Sequence, residues 1–266
     1  MSNRANPAVE SIKQSVAGAA YDLLAPAYDV LTGGYAYDTW IDALEVLARR
    51  HGLTGQRVLD VGCGTGHSLL PWVNRGYEAT GVDVSERMAA LARAKADGRF
   101  EVYVADMRTL PPELGPFDMV TCLGDGLNHL LDLEAVETAL AEMHRVLVPG
   151  GLALFDLNLL TAYREPPDTI VDAGDRVVLW PGAGARITAP GGVGELVVDV
   201  FEREGDLWRR TRSRQPHRHH PLVDVLAAAR AVGFEIAGAY GQHPGVHLEA
   251  AADEHIHAKA VVIARR

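Results

Sequence analysis

The stretch Arg57-Val-Leu-Asp-Val-Gly-Cys-Gly-Thr-Gly-His67 decides the fold of this chain. Its first half carries branched apolar residues, which predict a buried β-strand covered on both faces. Gly62, Gly64 and Gly66 follow, where the chain can bend sharply and a ligand can approach the backbone. Apolar residues at helical spacing then continue to Val73. The stretch therefore predicts a strand, a glycine turn and a helix, a geometry that holds nucleotide-like ligands.

Two details of this glycine turn narrow the kind of ligand. The glycines are spaced G-x-G-x-G, whereas dinucleotide-binding turns carry G-x-G-x-x-G, so a nicotinamide-dependent dehydrogenase is disfavoured. An acid, Asp60, also stands two positions before the first glycine. A carboxylate there would repel a pyrophosphate, but it could hold an ammonium group directly or through water.

Residues 60–66 resemble motif I of the class I S-adenosylmethionine (SAM)-dependent methyltransferases. The resemblance implies an acid that holds the ribose hydroxyls at the end of the next strand. Asp83 ends the strand-like run 78–83 and fits that position, roughly 20 residues further on. The resemblance also implies an acid near the adenine after the third strand, and Asp106 follows the run 100–105.

Two further matches extend the resemblance over about residues 20–160. The run 117–122 fits the fourth strand, and residues 144–151 carry the Pro-Gly-Gly turn expected before the fifth. The resemblance implies that SAM is the cofactor. The cofactor contacts it implies are Tyr21, Tyr28, Asp60, Gly62, Cys63, Gly64, Gly66, Asp83, Val84, Met88, Asp106, Met107 and Leu123.

Strand-like runs alternate with helical runs through residues 1–157. This alternation predicts a Rossmann-like α/β fold, a doubly wound sheet that binds its ligand at the carboxyl ends of the strands. Residues 158–215 instead show short β-like runs separated by Gly and Pro, without helical periodicity. They predict an antiparallel β flap, inserted after the fifth strand and covering the acceptor pocket. The core resumes at 216–266 with a helix and two strands, for seven strands in all.

The N-terminal part carries two Tyr-Asp pairs, at Tyr21 and Tyr28. Residues 1–13 have little apolar content and are expected to be frayed. The segment from about 15 to 35 resembles one that closes over SAM in many small-molecule methyltransferases. Tyrosine suits such a lid because it buries a large ring and keeps a hydroxyl for a partner. The alternative is a helix whose tyrosines only pack.

The segment 122–130 follows the fourth strand and is a candidate catalytic segment. It resembles a Cys-x-x-Asp-Ser-x-Asn-Tyr-Leu pattern of one methyltransferase subgroup, with Gly126 in place of the serine and His129 in place of the tyrosine. His129 is expected to titrate near neutrality and to take a proton, although a surface or capping role is the alternative. Asp125 and Asn128 are predicted to bind the substrate.

A second group of candidates, residues 217–220, lies where the flap rejoins the core. Related enzymes have a His-x-x-Arg element there, and Gln215 occupies the place of its histidine if Arg218 is the arginine. His217 is a second catalytic candidate, and Arg218 is predicted to bind the substrate. No metal site is predicted, because adjacent histidines of an extended chain point to opposite faces.

The bulk composition limits the partners. The chain has 266 residues, a net charge of −10 and a pI of about 5.5, which disfavours nucleic acid, whose binding needs a basic face. The basic run 209–218 is interpreted as a solvated strand face. No apolar run reaches the roughly 20 residues of a membrane span, and no signal peptide is recognised. Two cysteines without metal-ligand company suit the cytoplasm.

These observations favour a SAM-dependent methyltransferase that moves a methyl group to a nitrogen or oxygen atom of a small molecule by in-line displacement. A secondary metabolite or an amino sugar is a candidate acceptor, and a homo-oligomer is compatible with the sequence. One alternative is a SAM-fold enzyme with other chemistry, such as SAM cyclisation or aminopropyl transfer. Another is a SAM-binding protein without catalysis.

Overall fold

The computed structural model describes residues 16–164, 168–182, 186–243 and 246–266. The segment 1–13, predicted to be frayed, lies outside the described residues. The strands are β1 (Arg57–Val61), β2 (Glu78–Asp83), β3 (Glu101–Val104), β4 (Phe117–Cys122), β5 (Leu147–Asn158), β6 (Thr169–Asp172), β7 (Arg176–Trp180), β8 (Val193–Glu204), β9 (Leu207–Arg218), β10 (Glu235–Gln242), β11 (Leu248–Ala250) and β12 (Lys259–Arg265). The α-helices are α1 (Val16–Thr32), α2 (Tyr37–Arg50), α3 (Leu69–Asn74), α4 (Glu86–Ala96), α5 (Leu133–Val146), α6 (Leu160–Arg164) and α7 (Leu222–Ala231).

Eight of these strands form one sheet in the order β11-β10-β12-β5-β4-β1-β2-β3. Strands β1 to β5 are parallel, whereas β12 is antiparallel to β5 and β10. The order reverses between β1 and β4, a switch point beside which open α/β sheets bind ligands. The predicted doubly wound sheet is confirmed. The count of seven strands was one too low, because β11 has only three residues and shows no alternating pattern.

Helices cover both faces of this sheet. On one face, Leu140 of α5 and Val225 of α7 join Phe155 of β5 in one apolar cluster. On the other face, Ile41 of α2 and Trp72 of α3 belong to a second cluster. All five side chains have 0% exposure, and burial of each contributes about 1.5–3 kcal/mol. This two-sided core fixes the strand ends that carry the site.

The inserted sheet has the order β6-β7-β8-β9 and is antiparallel throughout, as predicted. Strands β8 and β9 pair along their whole length, and β9 continues to Arg218, beyond residue 215 where the flap was expected to end. The short helix α6 lies within the region predicted to lack helices. Its five residues are too few to show helical periodicity.

The basic run in β9 is matched by acids on the neighbouring strand. Arg210 and Arg212 both make bidentate hydrogen bonds to Asp199 of β8, at 2.7–2.9 Å. Arg209 of β9 pairs with Glu202, which also belongs to β8. These charges are compensated locally, which agrees with the interpretation of a solvated strand face. Within the described ranges, no helix is long and apolar enough to cross a membrane.

Candidate active site

The glycine turn after β1 has the backbone conformation that its glycines permit. Gly62 and Gly64 have φ angles of +76° and +55°, a region where a side chain would be strained. The amide N–H of Gly62 donates to the carbonyl oxygen of Val82 at 2.7 Å, so the turn is tied to β2. A Cβ atom on Gly64 would lie 3.6 Å from the ring of Tyr28. The turn therefore passes directly beneath the helix α1.

A cavity of about 380 Å³ opens between this turn, the ends of β2 to β4 and α1. Nine of the predicted cofactor residues line this first cavity: Tyr21, Tyr28, Gly62, Gly64, Asp83, Val84, Asp106, Met107 and Leu123. They bring a glycine backbone, two carboxylates and apolar walls together. This set fits SAM, since a nucleoside needs hydrogen-bond acceptors for its ribose and apolar contacts for its base.

Four residues predicted to bind the cofactor do not line the cavity. Cys63 is buried beneath the turn, where its Sγ would lie 2.7 Å from a Cβ on Gly81. Gly66 packs towards α4, and Met88 of α4 has 0% exposure. These residues lie away from the cavity lining because neighbours in sequence along a turn or helix point in different directions, and their contact with the cofactor stays a prediction.

Asp60 is the fourth of them, and its carboxylate binds two side-chain hydroxyls. Its two carboxylate oxygens accept hydrogen bonds from the hydroxyls of Thr121, at 2.6 Å, and Ser68. Its exposure is 1%, and this burial raises the pKa of Asp60 to about 6. Asp60 thus joins β1, β4 and the residue before α3, and it supports the turn from below.

Asp83 organises the edge of the cavity. One carboxylate oxygen accepts the amide N–H of Gly64 and the other accepts that of Ser85, both at 2.8 Å. Burial raises the pKa of Asp83 to about 6, although both hydrogen bonds favour the charged form. Each oxygen keeps a further lone pair for a ligand hydroxyl. Asp83 therefore holds the turn and faces the cavity at once.

Asp106 lies at the far end of the same cavity. Arg108 donates two hydrogen bonds to its carboxylate, at 3.0 and 2.6 Å. Burial acts to raise the pKa of Asp106, but the bonds from Arg108 prevail and lower it. Asp106 is consequently ionised near neutrality. The sequence analysis missed Arg108, which also lines the cavity.

The helix α1 covers the cavity with one face and is anchored by another. Tyr21 and Tyr28, seven residues apart, project from the first face. The acids that follow them make the anchor. Asp22 accepts hydrogen bonds from the Ser85 hydroxyl and an amide of α4, and Asp29 accepts one from Thr65 at 2.6 Å. The Tyr-Asp pairs therefore combine a cavity wall with its attachment, and the second role was not predicted.

Replacing Tyr28 by Ala is expected to weaken SAM binding about tenfold and to slow turnover, because the ring covers the turn at Gly64. Such a loss corresponds to about 1.4 kcal/mol. Tyr28→Phe, the matched control, keeps the ring and should retain most of the affinity. Isothermal titration and steady-state kinetics measure both effects. Equal, near-native values for the two variants would mean that the tyrosine only packs.

A second cavity of about 400 Å³ lies on the other side of α1's tyrosines. Tyr21, Tyr28 and Gly124 line both cavities and form their boundary. Walls of the second cavity come from α1, the inserted sheet and the last strands. Aromatic rings dominate it, and its polar groups are Thr32, Asp125, Asn158, Thr169, Gln215, Gln242 and Lys259.

Two histidines join Tyr21 behind this boundary. The Tyr21 hydroxyl lies 2.8 Å from Nε2 of His129, and that nitrogen lies 2.9 Å from Nε2 of His217. Nδ1 of His217 lies 3.8 Å from an oxygen of Asp125. These four side chains are called here the Tyr21–Asp125 chain. Hydrogen bonds join the first three, and the separation between His217 and Asp125 is longer than a hydrogen bond. The two catalytic candidates are thus in direct contact, although 88 residues separate them in sequence.

The titration of these groups differs from the expectation. Burial lowers the pKa of His129 to about 4, so this imidazole is neutral at pH 7 and does not titrate near neutrality. Burial likewise lowers the pKa of His217. Burial raises the pKa of Asp125 to about 7, and Lys259 only partly opposes this shift. Among His129, His217 and Asp125, the group that titrates near neutrality is therefore Asp125.

Asp125 is held in an unusual backbone conformation. Its φ of +60° lies in the left-handed region, which is uncommon for residues other than glycine and often marks functional sites. Its amide N–H donates to Asp156 at 2.9 Å, and Asn158 donates to its carboxylate at 2.8 Å. Lys259 pairs with Asp156 at 2.5 Å. The sequence analysis missed Asp156 and Lys259, although Asp156 lies near the carboxyl end of a parallel strand.

Two predicted substrate-binding residues lie outside both cavities. The side chain of Asn128 is fully buried, donates to the carbonyl oxygens of Asn158 and Arg218, and accepts the amide N–H of Asn158. Arg218 donates to the carbonyl oxygen of Leu131. These side chains bind backbone groups and join the inserted sheet to the core, and their contact with the substrate stays a prediction.

Comparisons with known proteins agree with this architecture. The methyltransferase domain family matches residues 58–151. A Geobacillus sp. (strain WCH70) protein, named as a candidate methyltransferase, is 36% identical over 205 residues, which cover 74% of this chain and 81% of that protein. The chain belongs to the class I SAM-dependent methyltransferases. SAM is its cofactor, and the confirmed reaction class is methyl transfer.

Solved structures show the same fold. A SAM-dependent methyltransferase from Clostridium acetobutylicum ATCC 824 matches with a TM-score of 0.75 and 18% identity, over 92% of this chain and 98% of that one. SAM-bound CalS10, an amino pentose methyltransferase from Micromonospora echinaspora involved in calicheamicin biosynthesis, matches with a TM-score of 0.64 and 24% identity, over 91% and 95%. At these identities the likeness concerns the fold alone.

Proposed function

We propose that this methyltransferase acts on a small molecule and that the accepting atom is an amine nitrogen. The observation that carries the proposal is the second cavity, which meets the cofactor cavity at Tyr21, Tyr28 and Gly124 and presents Asp125 among aromatic rings. An ammonium group is attracted both by a carboxylate and by the faces of aromatic rings.

The dimensions of the second cavity support a small acceptor. Its volume of about 400 Å³ lies within the range of small-molecule sites, and rings from α1 and the inserted sheet enclose it. Trp40 and Trp180 provide large flat walls, while Gln215 and Lys259 offer polar contacts. A polar acceptor with one apolar face, such as an amino sugar, suits this lining.

The residues of the Tyr21–Asp125 chain have separate roles in this proposal. A protonated amine must lose a proton before its lone pair can attack a methyl group, and bound SAM supplies that group in activated form. The Tyr21 hydroxyl faces the boundary, and burial keeps it un-ionised by raising its pKa. The proton passes from Tyr21 through His129 to His217 along hydrogen bonds. A small movement of His217 must then close its 3.8 Å separation from Asp125, whose pKa of about 7 matches proton exchange near neutrality.

Incubation of the protein with SAM and a panel of small amines and matched alcohols tests this function. We expect S-adenosylhomocysteine and a product heavier by one methylene equivalent from amines, measured by mass spectrometry. Methylation confined to alcohols would replace the nitrogen assignment by oxygen. Methylthioadenosine without a methylated product would indicate SAM cyclisation or aminopropyl transfer. SAM retention without turnover on any acceptor would indicate a binding protein.

A further inference from the structure

Three side chains capable of binding a metal converge outside both cavities. Nε2 of His243 lies 2.7 Å from Oε2 of Glu249, and Nε2 of His257 lies 3.5 Å from the same oxygen. The two ring nitrogens are 3.3 Å apart. These three residues are called here the His–Glu–His cluster. Their ligand atoms lie within 4.8 Å of one another.

The separations within the His–Glu–His cluster resemble those of a zinc site. Zinc bonds to histidine nitrogen and carboxylate oxygen are about 2.0–2.2 Å, and a tetrahedral arrangement then places ligand atoms roughly 3.3 Å apart. Two of the three separations, 3.3 and 3.5 Å, already match that spacing. The third, between His243 and Glu249, is a hydrogen bond that a small side-chain rotation would open.

The pairing of two strands brings the residues of the His–Glu–His cluster close together. Strands β10 and β11 pair Gly241 with Glu249, and the amide of His243 donates to the carbonyl oxygen of His247 at 2.9 Å. A Cβ atom on Gly241 would lie 2.3 Å from the ring of His257. Because this position is a glycine, the ring of His257 can lie flat against the strand and reach the other two ligands.

The ring of His257 is also oriented by the backbone of Asp253. Its side chain is 2% exposed, and its Nδ1 accepts the amide N–H of Asp253 at 3.0 Å and lies 3.2 Å from the carbonyl oxygen of the same residue. These two contacts with Asp253 hold the ring of His257 in place within the cluster.

We propose that His243, Glu249 and His257 form a Zn²⁺ site, with its fourth position open to solvent. The ligands flank the wall of the second cavity, because Gln242, Val246 and Lys259 line that cavity. A bound ion would therefore hold this part of the wall in place. Neither ligation nor its test requires that the methyl acceptor be an amine.

The experiment uses the full-length chain without a polyhistidine tag, stripped of metal with a chelator. Isothermal titration with Zn²⁺ should show one ion per chain, and Co²⁺ should give the visible absorption of a tetrahedral site. Glu249→Gln and His243→Ala should each weaken binding by about tenfold to 100-fold.

His255→Ala is the matched control, since His255 is exposed in the same segment and outside the cluster. It should bind Zn²⁺ like the wild type. Glu249 and His243 are partly exposed, so their variants should fold, as circular dichroism would verify. Absence of Zn²⁺ binding by the wild type, or unchanged affinity in a folded Glu249→Gln/His243→Ala double variant, would overturn the proposal.

Discussion

Replacing His129 by Asn is expected to lower kcat by about 10²-fold or more, the usual scale for loss of a proton-transferring group. The change breaks the Tyr21–Asp125 chain at its middle, where one nitrogen contacts both the Tyr21 hydroxyl and His217. SAM affinity should stay near the wild-type value, because the glycine turn and Asp83 are untouched. Single-turnover kinetics and isothermal titration measure the two quantities separately.

The exposed His255 provides the matched control, because His255→Asn makes the same chemical change at a residue that lines neither cavity. It should leave kcat unchanged. An unchanged kcat for His129→Asn as well would assign His129 to packing. If kcat were unchanged in His217→Asn as well, catalysis would rest on positioning an amine that is already neutral.

The pH–rate profile identifies the group that receives the proton. His129, with a pKa of about 4, stays neutral above pH 5 and contributes no ionisation near neutrality. Asp125 is protonated below its pKa of about 7 and ionised above it. We therefore expect kcat/KM of the wild type to rise as pH increases through about 7. Asp125→Asn cannot ionise, so this limb should vanish in that variant, and its persistence would contradict the assignment.

Replacing Asp83 by Ala should lower SAM affinity at least about tenfold. The carboxylate is the proposed acceptor for the ribose hydroxyls, and each lost hydrogen bond to a charged group typically costs about 1.5–3 kcal/mol. The variant should also be less stable, because the amides of Gly64 and Ser85 lose their acceptors. Isothermal titration of the folded variant, checked by thermal melting, measures the affinity.

A ligand without ribose hydroxyls separates the two roles of Asp83. The dideoxyribose analogue of S-adenosylhomocysteine should bind the wild type weakly, and Asp83→Ala should weaken it little further. If the variant weakened the parent ligand and the analogue equally, Asp83 would act only through the turn. Glu86→Ala, which removes an exposed acid from the first turn of α4, is the control and should bind normally.

Much of the first cavity, which fits the cofactor, could be predicted from the sequence. The glycine spacing, Asp83 and Asp106 lie in short local motifs, and parallel strands bring their carboxyl ends to one edge of the sheet. The strands 78–83 and 117–122 were predicted with the bounds that the structure has. It was harder to predict in which direction each side chain of a motif points. Asp60 and Cys63 belong to the same stretch as Gly62 and Gly64, yet they lie beneath the turn.

The second cavity and the Tyr21–Asp125 chain could not be predicted from local sequence patterns, because their residues are distant in sequence. Tyr21 contacts His129 across 108 residues, and Lys259 contacts Asp156 across 103. The pKa of His129 depends on burial that no local pattern reveals. The His–Glu–His cluster was missed as well, although four histidines between residues 243 and 257 were a signal.

The sequence by itself determined a strand, glycine turn and helix, the class of cofactor, and an inserted antiparallel sheet. These follow from residue types at short, fixed spacings, which local sterics and hydrogen bonding control. Only the tertiary structure decided which side chains reach a cavity, which imidazole is neutral and which carboxylate titrates near neutrality. Those properties depend on burial and on contacts between distant segments, because desolvation and neighbouring charges set the pKa of each group.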